Sequence, residues 1–169
     1  RAHEMEPPHA HGHHHHPHAV VPAKAGTQCR QAVTRESLDP SVRWGDEQKG
    51  FAPDYSRQVR LREVGEDGQR KLANARVLVI GAGGLGVPVI SYLAGAGVGT
   101  LGIVDGDVLD ASNLHRQVMY DARDIGQRKV DLAARRVARL NPSVEVVTYE
   151  QPLHAGDITD VFAGYDLVV

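Results

Sequence analysis

Residues 77–113 constrain the fold of this chain more than any other stretch. An apolar run at 77–80 leads into the turn Gly81-Ala82-Gly83-Gly84-Leu85-Gly86, and a run of small and apolar residues follows it. A second apolar run, 100–104, ends at Asp105. Glycines allow backbone N–H groups to approach a phosphate, and a helix that starts at such a turn presents its positive amino end to the anion. This order of strand, glycine turn, helix and strand predicts a nucleotide-binding unit.

The rest of the apolar pattern predicts strands that alternate with helices. Short helices are expected at 55–61 and 67–75, ahead of the first strand, and a further helix at 87–96. The predicted elements that follow are a strand at 100–104, a helix at 127–140, a strand at 144–149, a helix at 157–163 and the start of a strand at 166–169. Such alternation predicts an α/β fold, namely a Rossmann-like, doubly wound, mostly parallel sheet with helices on both faces.

Composition divides the 169 residues into two parts near residue 50. Residues 1–50 are low in complexity, and eight of the ten histidines lie between His3 and His18. We interpret this part as a disordered extension; a metal-chelating tail is the alternative, because neutral imidazoles bind Zn²⁺ or Ni²⁺. Residues 51–169 are interpreted as the N-terminal part of a nucleotide-binding domain. Since the chain starts at Arg1 and stops at Val169 within an apolar run, we expect it to be a piece of a longer protein.

Charge and cysteine content limit the classes of partner and compartment. The formal net charge is −2 at pH 7, so the overall balance favours neither a nucleic-acid partner nor an anionic membrane surface. The sequence has no run of about 18 apolar residues that could span a membrane. A single cysteine, Cys29, can form neither an internal disulfide nor a cysteine-based zinc site, which favours a reducing cytoplasm.

The residues after Asp105 carry more information than the glycine turn, which by itself fits many NAD and FAD enzymes or a tight turn without a ligand. Asp105 comes nineteen residues after Gly86, which suits a carboxylate that accepts ribose hydroxyl groups. A polar crossover follows, and Arg128 and Lys129 then open a predicted helix. Exposed cations at a helix start are repelled by the positive end of the helix dipole, which costs about 0.3–1 kcal/mol of stability each. A bound polyphosphate would make the same cations favourable. The alternative is two solvated side chains.

Four motifs together resemble those of the ThiF/MoeB/HesA family, bacterial relatives of the ubiquitin-activating enzymes. They are the glycine turn, Asp105-Gly106-Asp107, Ser112-Asn113-Leu114-His115-Arg116-Gln117 and Gly126-Gln127-Arg128-Lys129. Upstream, Tyr55-Ser56-Arg57-Gln58 and Gly68-Gln69 match the N-terminal helices of the family. The resemblance covers residues 54–169 and says nothing about residues 1–50.

The resemblance implies an ATP-dependent adenylyltransferase that activates the C-terminal glycine of a ubiquitin-like sulfur-carrier protein, of the thiamin or molybdopterin type. In that reaction the carrier carboxylate attacks the α-phosphate of ATP, which gives an acyl-adenylate and pyrophosphate. A related subgroup modifies tRNA but typically has a different series before the Arg-Gln pair, so Ser112-Asn113-Leu114-His115 favours the carrier-activating branch. The resemblance also implies a homodimer.

The resemblance assigns a role to each site residue. Catalytic roles are implied for Arg57, Arg116 and Lys129, with Arg57 reaching the phosphates from the partner subunit. The implied nucleotide-binding residues are Gly81, Gly83, Gly84 and Gly86 in the phosphate turn, Asp105 at the ribose, Asp107, the series Ser112, Asn113, Leu114, His115 and Arg116, and Lys129. Without the resemblance, Arg57 lies on an amphipathic helix and has the pattern of a solvated face.

The chain departs from the family pattern at two points, and two alternative functions stay open. The family usually has proline at the position of Arg128. The Mg²⁺-binding aspartate of the family is expected a few residues beyond Val169, and any zinc-binding cysteine pairs are expected further on. We therefore assign no metal ligand within residues 1–169. This piece is not expected to catalyse alone. The alternatives are a non-catalytic nucleotide-binding subunit and an NAD-dependent oxidoreductase; Arg116 and Lys129 argue against the second.

Overall fold

The computed structural model describes residues 30–33, 53–151, 153 and 155–169. In chain order the elements are β1 (Arg30–Val33), α1 (Ser56–Val59), α2 (Gly65–Asn74), β2 (Arg76–Ile80), α3 (Gly86–Ala96), β3 (Thr100–Val104), α4 (Lys129–Leu140), β4 (Glu145–Tyr149), α5 (Ala155–Phe162) and β5 (Leu167–Val168). Two 3₁₀ helices, Ala111–Asn113 and Ala122–Asp124, lie in the crossover between β3 and α4.

The five strands form one sheet in the order β1-β4-β3-β2-β5. Strands β4, β3, β2 and β5 pair in parallel, while β1 pairs antiparallel with β4 at the edge. The chain places β3 and β4 on one side of β2 and β5 on the other, so the strand order reverses beside β2. In open α/β sheets, ligands bind at the carboxyl ends of the strands where the order reverses. The predicted Rossmann-like, mostly parallel sheet is confirmed.

Alternate residues of the strands face two separate apolar clusters. Val77 and Val79 of β2 belong to a buried cluster that also holds Ile90 of α3 and Val137 of α4. Leu78, between them in sequence, belongs to a second cluster with residues of β4 and α5. Because side chains alternate across a strand, these clusters cover both faces of the sheet, as the prediction of a doubly wound fold requires. Among the described residues, no helix has the length and apolar character needed to cross a membrane.

The structure differs from the prediction of a disordered extension at Arg30–Val33. These four residues form strand β1, with Arg30 opposite Tyr149 and Val33 opposite Val146 of β4. The expectation is wrong for this segment because cross-strand pairing depends on a partner more than 100 residues away, which the local pattern does not show. Residues 1–29 and 34–52, including the histidine run, lie outside the described residues, and the disorder predicted for 1–29 and 34–50 stays a prediction.

The predicted helix at 127–140 begins two residues later, at Lys129. Arg128 has extended backbone angles, φ −66° and ψ 132°, and forms a bridge with Val108 of the crossover. Leu109 donates its N–H to the Gln127 carbonyl at 2.9 Å. These contacts with the crossover occupy the Gln127 carbonyl and the backbone of Arg128, which a helix that began at residue 127 would have used. Helix α4 therefore begins at Lys129.

Candidate functional site

The glycine turn lies at the carboxyl end of β2, where the strand order reverses. Gly81 has φ +97°, a left-handed conformation that favours glycine, and its N–H donates to the Val104 carbonyl at 2.7 Å. A Cβ on Gly86 would lie 1.7 Å from the Gly81 carbonyl oxygen. Helix α3 starts there, and no side chain of the described residues caps its amino end. The turn therefore presents backbone N–H groups and a positive helix end that no capping side chain occupies.

Asp105 lies beside this turn, at the carboxyl end of β3. One carboxylate oxygen, Oδ2, accepts a hydrogen bond from the Ala82 N–H at 2.7 Å. The other, Oδ1, accepts from the Asp107 N–H at 2.8 Å. Each carboxylate oxygen has a second lone pair, so the group can still accept ribose hydroxyls. The sequence placed Asp105 near the nucleotide, but its contact with the turn itself emerges only from the fold.

Arg116 extends across the glycine turn. A Cβ on Gly84 would lie 3.5 Å from the Arg116 Cδ atom, so the arginine stem packs directly on this glycine. The guanidinium is exposed; its Nη1 donates to the Ser112 carbonyl at 3.1 Å and lies 3.4 Å from His115 Nε2. An exposed guanidinium fixed above a phosphate-type turn is suited to bidentate contact with phosphate oxygens.

The residues before Arg116 form a short, capped 3₁₀ helix. Asp110 accepts the Ser112 N–H at 2.8 Å, and Asn113 Oδ1 accepts the Asp110 N–H at 3.4 Å. Hydrogen bonds from the side chain and backbone of Ser112 hold the pKa of Asp110 below its usual value. Leu114 packs on a buried cluster with Leu109, so its side chain helps to anchor the segment. The cap and this anchor determine where Arg116 lies.

Lys129 is buried at the start of α4. Its side chain is only 6% exposed, and its Nζ lies 2.8 Å from the Asp107 Oδ2 atom, on a side chain that is 72% exposed. The alternative of two solvated cations is therefore wrong for Lys129. Arg128 differs: it remains half exposed and pairs with Glu150, just after β4. The two neighbouring cations point to different carboxylates.

Tyr120 joins the start of α4 to the glycine turn. Its hydroxyl donates to the Ala82 carbonyl at 2.9 Å and lies 3.5 Å from the Lys129 carbonyl. Burial, with smaller contributions from the charges of Asp105 and Asp124, raises the pKa of Tyr120 above its usual value. The phenol therefore stays a neutral donor. Sequence reasoning missed this residue, because its contact with Ala82 spans 38 positions and has no local signal.

Arg57 is the one predicted catalytic residue that the structure does not bring to the turn of its own chain. The next residue, Gln58, donates from Nε2 to the Ala96 carbonyl at 3.0 Å, and so attaches α1 to the carboxyl end of α3. The glycine turn lies at the other end of that helix, whose 11 residues span about 16 Å. The Arg57 side chain is exposed.

Comparison with known proteins identifies the family. The model of the ThiF family matches residues 55–169, from the residue before α1 to the end of β5. This chain belongs to the ThiF family. The match contains every candidate site residue named above and leaves β1 outside it. The resemblance carried by the sequence motifs is confirmed.

Curated members of the ThiF family share about half of their residues with this chain over the matched segment. "Adenylyltransferase and sulfurtransferase UBA4" of Saccharomyces cerevisiae is 50% identical over 116 residues, which is 68% of this chain and 26% of that protein. "Probable adenylyltransferase/sulfurtransferase MoeZ" of Mycobacterium tuberculosis is 50% identical over 115 residues, 68% of this chain and 29% of that protein. The chain thus spans little more than a quarter of the length of these relatives.

Solved structures of two bacterial proteins share the fold. E. coli MccB, solved with AMPCPP and MccA, superposes with a TM-score of 0.53 at 32% identity, covering 55% of this chain and 28% of MccB. E. coli tRNA N6-threonylcarbamoyladenosine dehydratase, TcdA, superposes with a TM-score of 0.61 at 25% identity, covering 70% of this chain and 52% of TcdA. The Rossmann-like architecture is therefore common to this chain and to both of these solved proteins.

Proposed function

We propose that the full-length protein is an adenylyltransferase that uses ATP to activate the C-terminal glycine of a ubiquitin-like sulfur-carrier protein. The observation that carries this proposal is the position of Arg116, whose stem packs on Gly84 of the glycine turn and whose guanidinium is exposed. Attack at a phosphate develops negative charge that a cation over the turn stabilises, whereas hydride transfer takes place at the nicotinamide, away from the phosphates. The 50% identity to UBA4 and MoeZ, both named adenylyltransferase and sulfurtransferase, supports the same choice.

The described residues fit ATP. The open N–H groups of the glycine turn would hold the phosphates, Asp105 would accept the ribose hydroxyls, and Arg116 would neutralise phosphate charge. The Tyr120 hydroxyl contacts the backbone carbonyls of Ala82 and Lys129, so the start of α4 lies beside the turn, and we propose that the Lys129 ammonium reaches the phosphates from there. Positioned charge of this kind is a main source of catalysis in phosphoryl chemistry.

The proposed reaction joins two anions. A carboxylate oxygen of the carrier forms a bond to the α-phosphorus of ATP, and the bond from that phosphorus to the bridging oxygen of pyrophosphate breaks. The products are a carrier acyl-adenylate and pyrophosphate. Arg116 and Lys129 would lower the repulsion between the carboxylate and the phosphates and stabilise the charge that develops on the leaving oxygen.

Metal ions enter this proposal only through the resemblance. Across the described ranges, no three His, Cys, Asp or Glu side chains form a group that could hold a metal ion. We propose that Mg²⁺ binds through the ATP phosphates and a family aspartate that follows Val169. Cysteine pairs that follow Val169 would supply any structural zinc site. The thiamin or molybdopterin type of carrier and the cytoplasmic compartment also stay predictions.

The direct test is ATP–pyrophosphate exchange by the full-length protein with a purified sulfur carrier. We expect radioactive pyrophosphate to enter ATP only when the carrier has its C-terminal glycine, because that carboxylate is the nucleophile. A carrier without this residue is the control. Binding of ATP without exchange would favour a non-catalytic subunit, and binding of NAD in place of ATP would favour an oxidoreductase; either result would contradict the proposal.

We further propose that the protein is a homodimer in which Arg57 completes the partner's site. The support is the position of α1, about one helix length from the glycine turn of its own chain. If so, the Arg57→Ala and Arg116→Ala dimers are each inactive. After their subunits exchange in a one-to-one mixture, half of the dimers contain one subunit of each variant, and each of these dimers has one intact site. The mixture should therefore regain about a quarter of the wild-type rate of ATP–pyrophosphate exchange. No recovery, despite subunit exchange shown by native mass spectrometry, would place Arg57 outside the partner's site.

A further inference from the structure

Lys129 and Asp107 form an unequal ion pair. The ammonium is almost fully buried, whereas the carboxylate, 2.8 Å away, is largely exposed. A buried charge without a partner is costly, so Lys129 needs a counter-ion in the protein without nucleotide. Asp107 loses little by giving up the contact, because water already surrounds most of its carboxylate.

The backbone fixes Asp107 on two sides and leaves its carboxylate able to move. Its N–H donates to Asp105 Oδ1 at 2.8 Å, and its carbonyl accepts the Lys129 N–H at 3.1 Å. Within the described ranges, the Asp107 carboxylate forms its hydrogen bond with the Lys129 ammonium. A polyphosphate at the adjacent turn would repel this carboxylate and attract the ammonium.

We propose that Asp107 is a positioning residue, and not a ribose ligand: it holds Lys129 at the start of α4 in the nucleotide-free protein and exchanges it for a phosphate when ATP binds. This inference rests on the proposed function, since it takes ATP as the ligand. It assigns the two acidic residues of the Asp105-Gly106-Asp107 motif to different tasks. Asp105 faces the turn and the ribose, and Asp107 faces the lysine.

The test is isothermal titration of full-length Asp107→Asn with Mg·ATP and, separately, with adenosine, which has the ribose but no phosphate. Because the variant removes the competitor for Lys129, we expect ATP affinity to rise by roughly two- to fivefold, the range of a partly exposed ion pair, with adenosine affinity unchanged. Asp131→Asn is the matched control; it removes the same charge from the first turn of α4 and is expected to leave the ratio of the two affinities near that of the wild type.

A double-mutant cycle keeps the test independent of folding defects. In Asp107→Asn the buried ammonium has lost its partner, but Asp107→Asn with Lys129→Gln removes both charges together. We expect the Asp107 substitution to have no effect on ATP affinity in the Lys129→Gln background, which is full coupling. Equal effects in both backgrounds, unchanged ATP affinity in the single variant, or weaker binding of both ATP and adenosine would each overturn the proposal.

These readouts separate this inference from the proposed function. If the wild-type protein binds ATP but shows no pyrophosphate exchange, the adenylyltransferase proposal fails, and the exchange of Lys129 between Asp107 and phosphate is still judged by the titrations. If exchange occurs and the titrations show no coupling, only the role of Asp107 is wrong.

Discussion

Arg116→Ala in the full-length protein is expected to lower ATP–pyrophosphate exchange by about 10²- to 10³-fold, the usual cost of removing one positioned donor from a site of developing charge. The guanidinium is exposed, and its close contacts, the Ser112 carbonyl and His115 Nε2, lie within its own crossover segment. The fold should therefore be unaffected, with an unchanged circular dichroism spectrum and melting temperature. The loss should appear mainly in kcat, because the contact strengthens as charge develops.

Two further variants give this prediction its controls. Arg116→Lys keeps the charge but loses the planar fork, so we expect intermediate activity. Arg123→Ala removes an exposed arginine from the same crossover, where it pairs with Asp121 at 2.8 Å, and should leave exchange near the wild-type rate. Near-normal exchange by Arg116→Ala, or an equal loss in Arg123→Ala, would show that Arg116 has no specific role at the phosphates.

The second large effect is expected at Gly86. An alanine Cβ there would overlap the Gly81 carbonyl oxygen, at 1.7 Å, and this oxygen belongs to the backbone and cannot rotate away. The turn or the start of α3 must move, so we expect Gly86→Ala to lower the free energy of unfolding by about 3 kcal/mol or more. Chemical denaturation of the full-length protein measures this loss. ATP binding should fall with it, because the N–H groups of the turn no longer converge.

Gly95, in the same helix, provides the opposite expectation. A Cβ on this exposed residue would meet no atom within 4 Å, and its φ lies outside the left-handed region. Gly95→Ala should therefore raise the free energy of unfolding by about 0.5–1 kcal/mol, the difference in helix propensity. If both alanine variants were equally stable, the close approach of Gly86 to Gly81 would not exist in the protein.

The sequence was sufficient to predict the features that depend on neighbouring residues. The glycine turn, strands β2 and β3 and the position of Asp105 follow from apolar periodicity and from the geometry that glycine permits, and all lie within 30 residues of one another. The start of α4 was predicted two residues early, because the bridge from Arg128 to Val108 competes with the helix for backbone groups. Local pattern contains no information about that bridge.

The contacts that complete the candidate site could not be predicted in this way. The Tyr120 hydroxyl reaches Ala82 across 38 positions, and Lys129 reaches Asp107 across 22. Both pairs meet because parallel strands bring their carboxyl ends to one edge of the sheet. The family resemblance predicts Lys129 at the nucleotide, which stays a prediction; the fold adds that its ammonium is buried and already has a carboxylate partner.

Strand β1 has a consequence for the handling of this protein. It covers the outer edge of β4, and it lies outside the segment that matches the ThiF family. A shortened chain that begins at α1 would lose this cover. It would then expose a row of backbone donors and acceptors on β4, a strand that contains two valines. Open, apolar edges of this kind pair with other chains and promote aggregation. We therefore expect a chain that retains Arg30–Val33 to aggregate less than one that begins at α1.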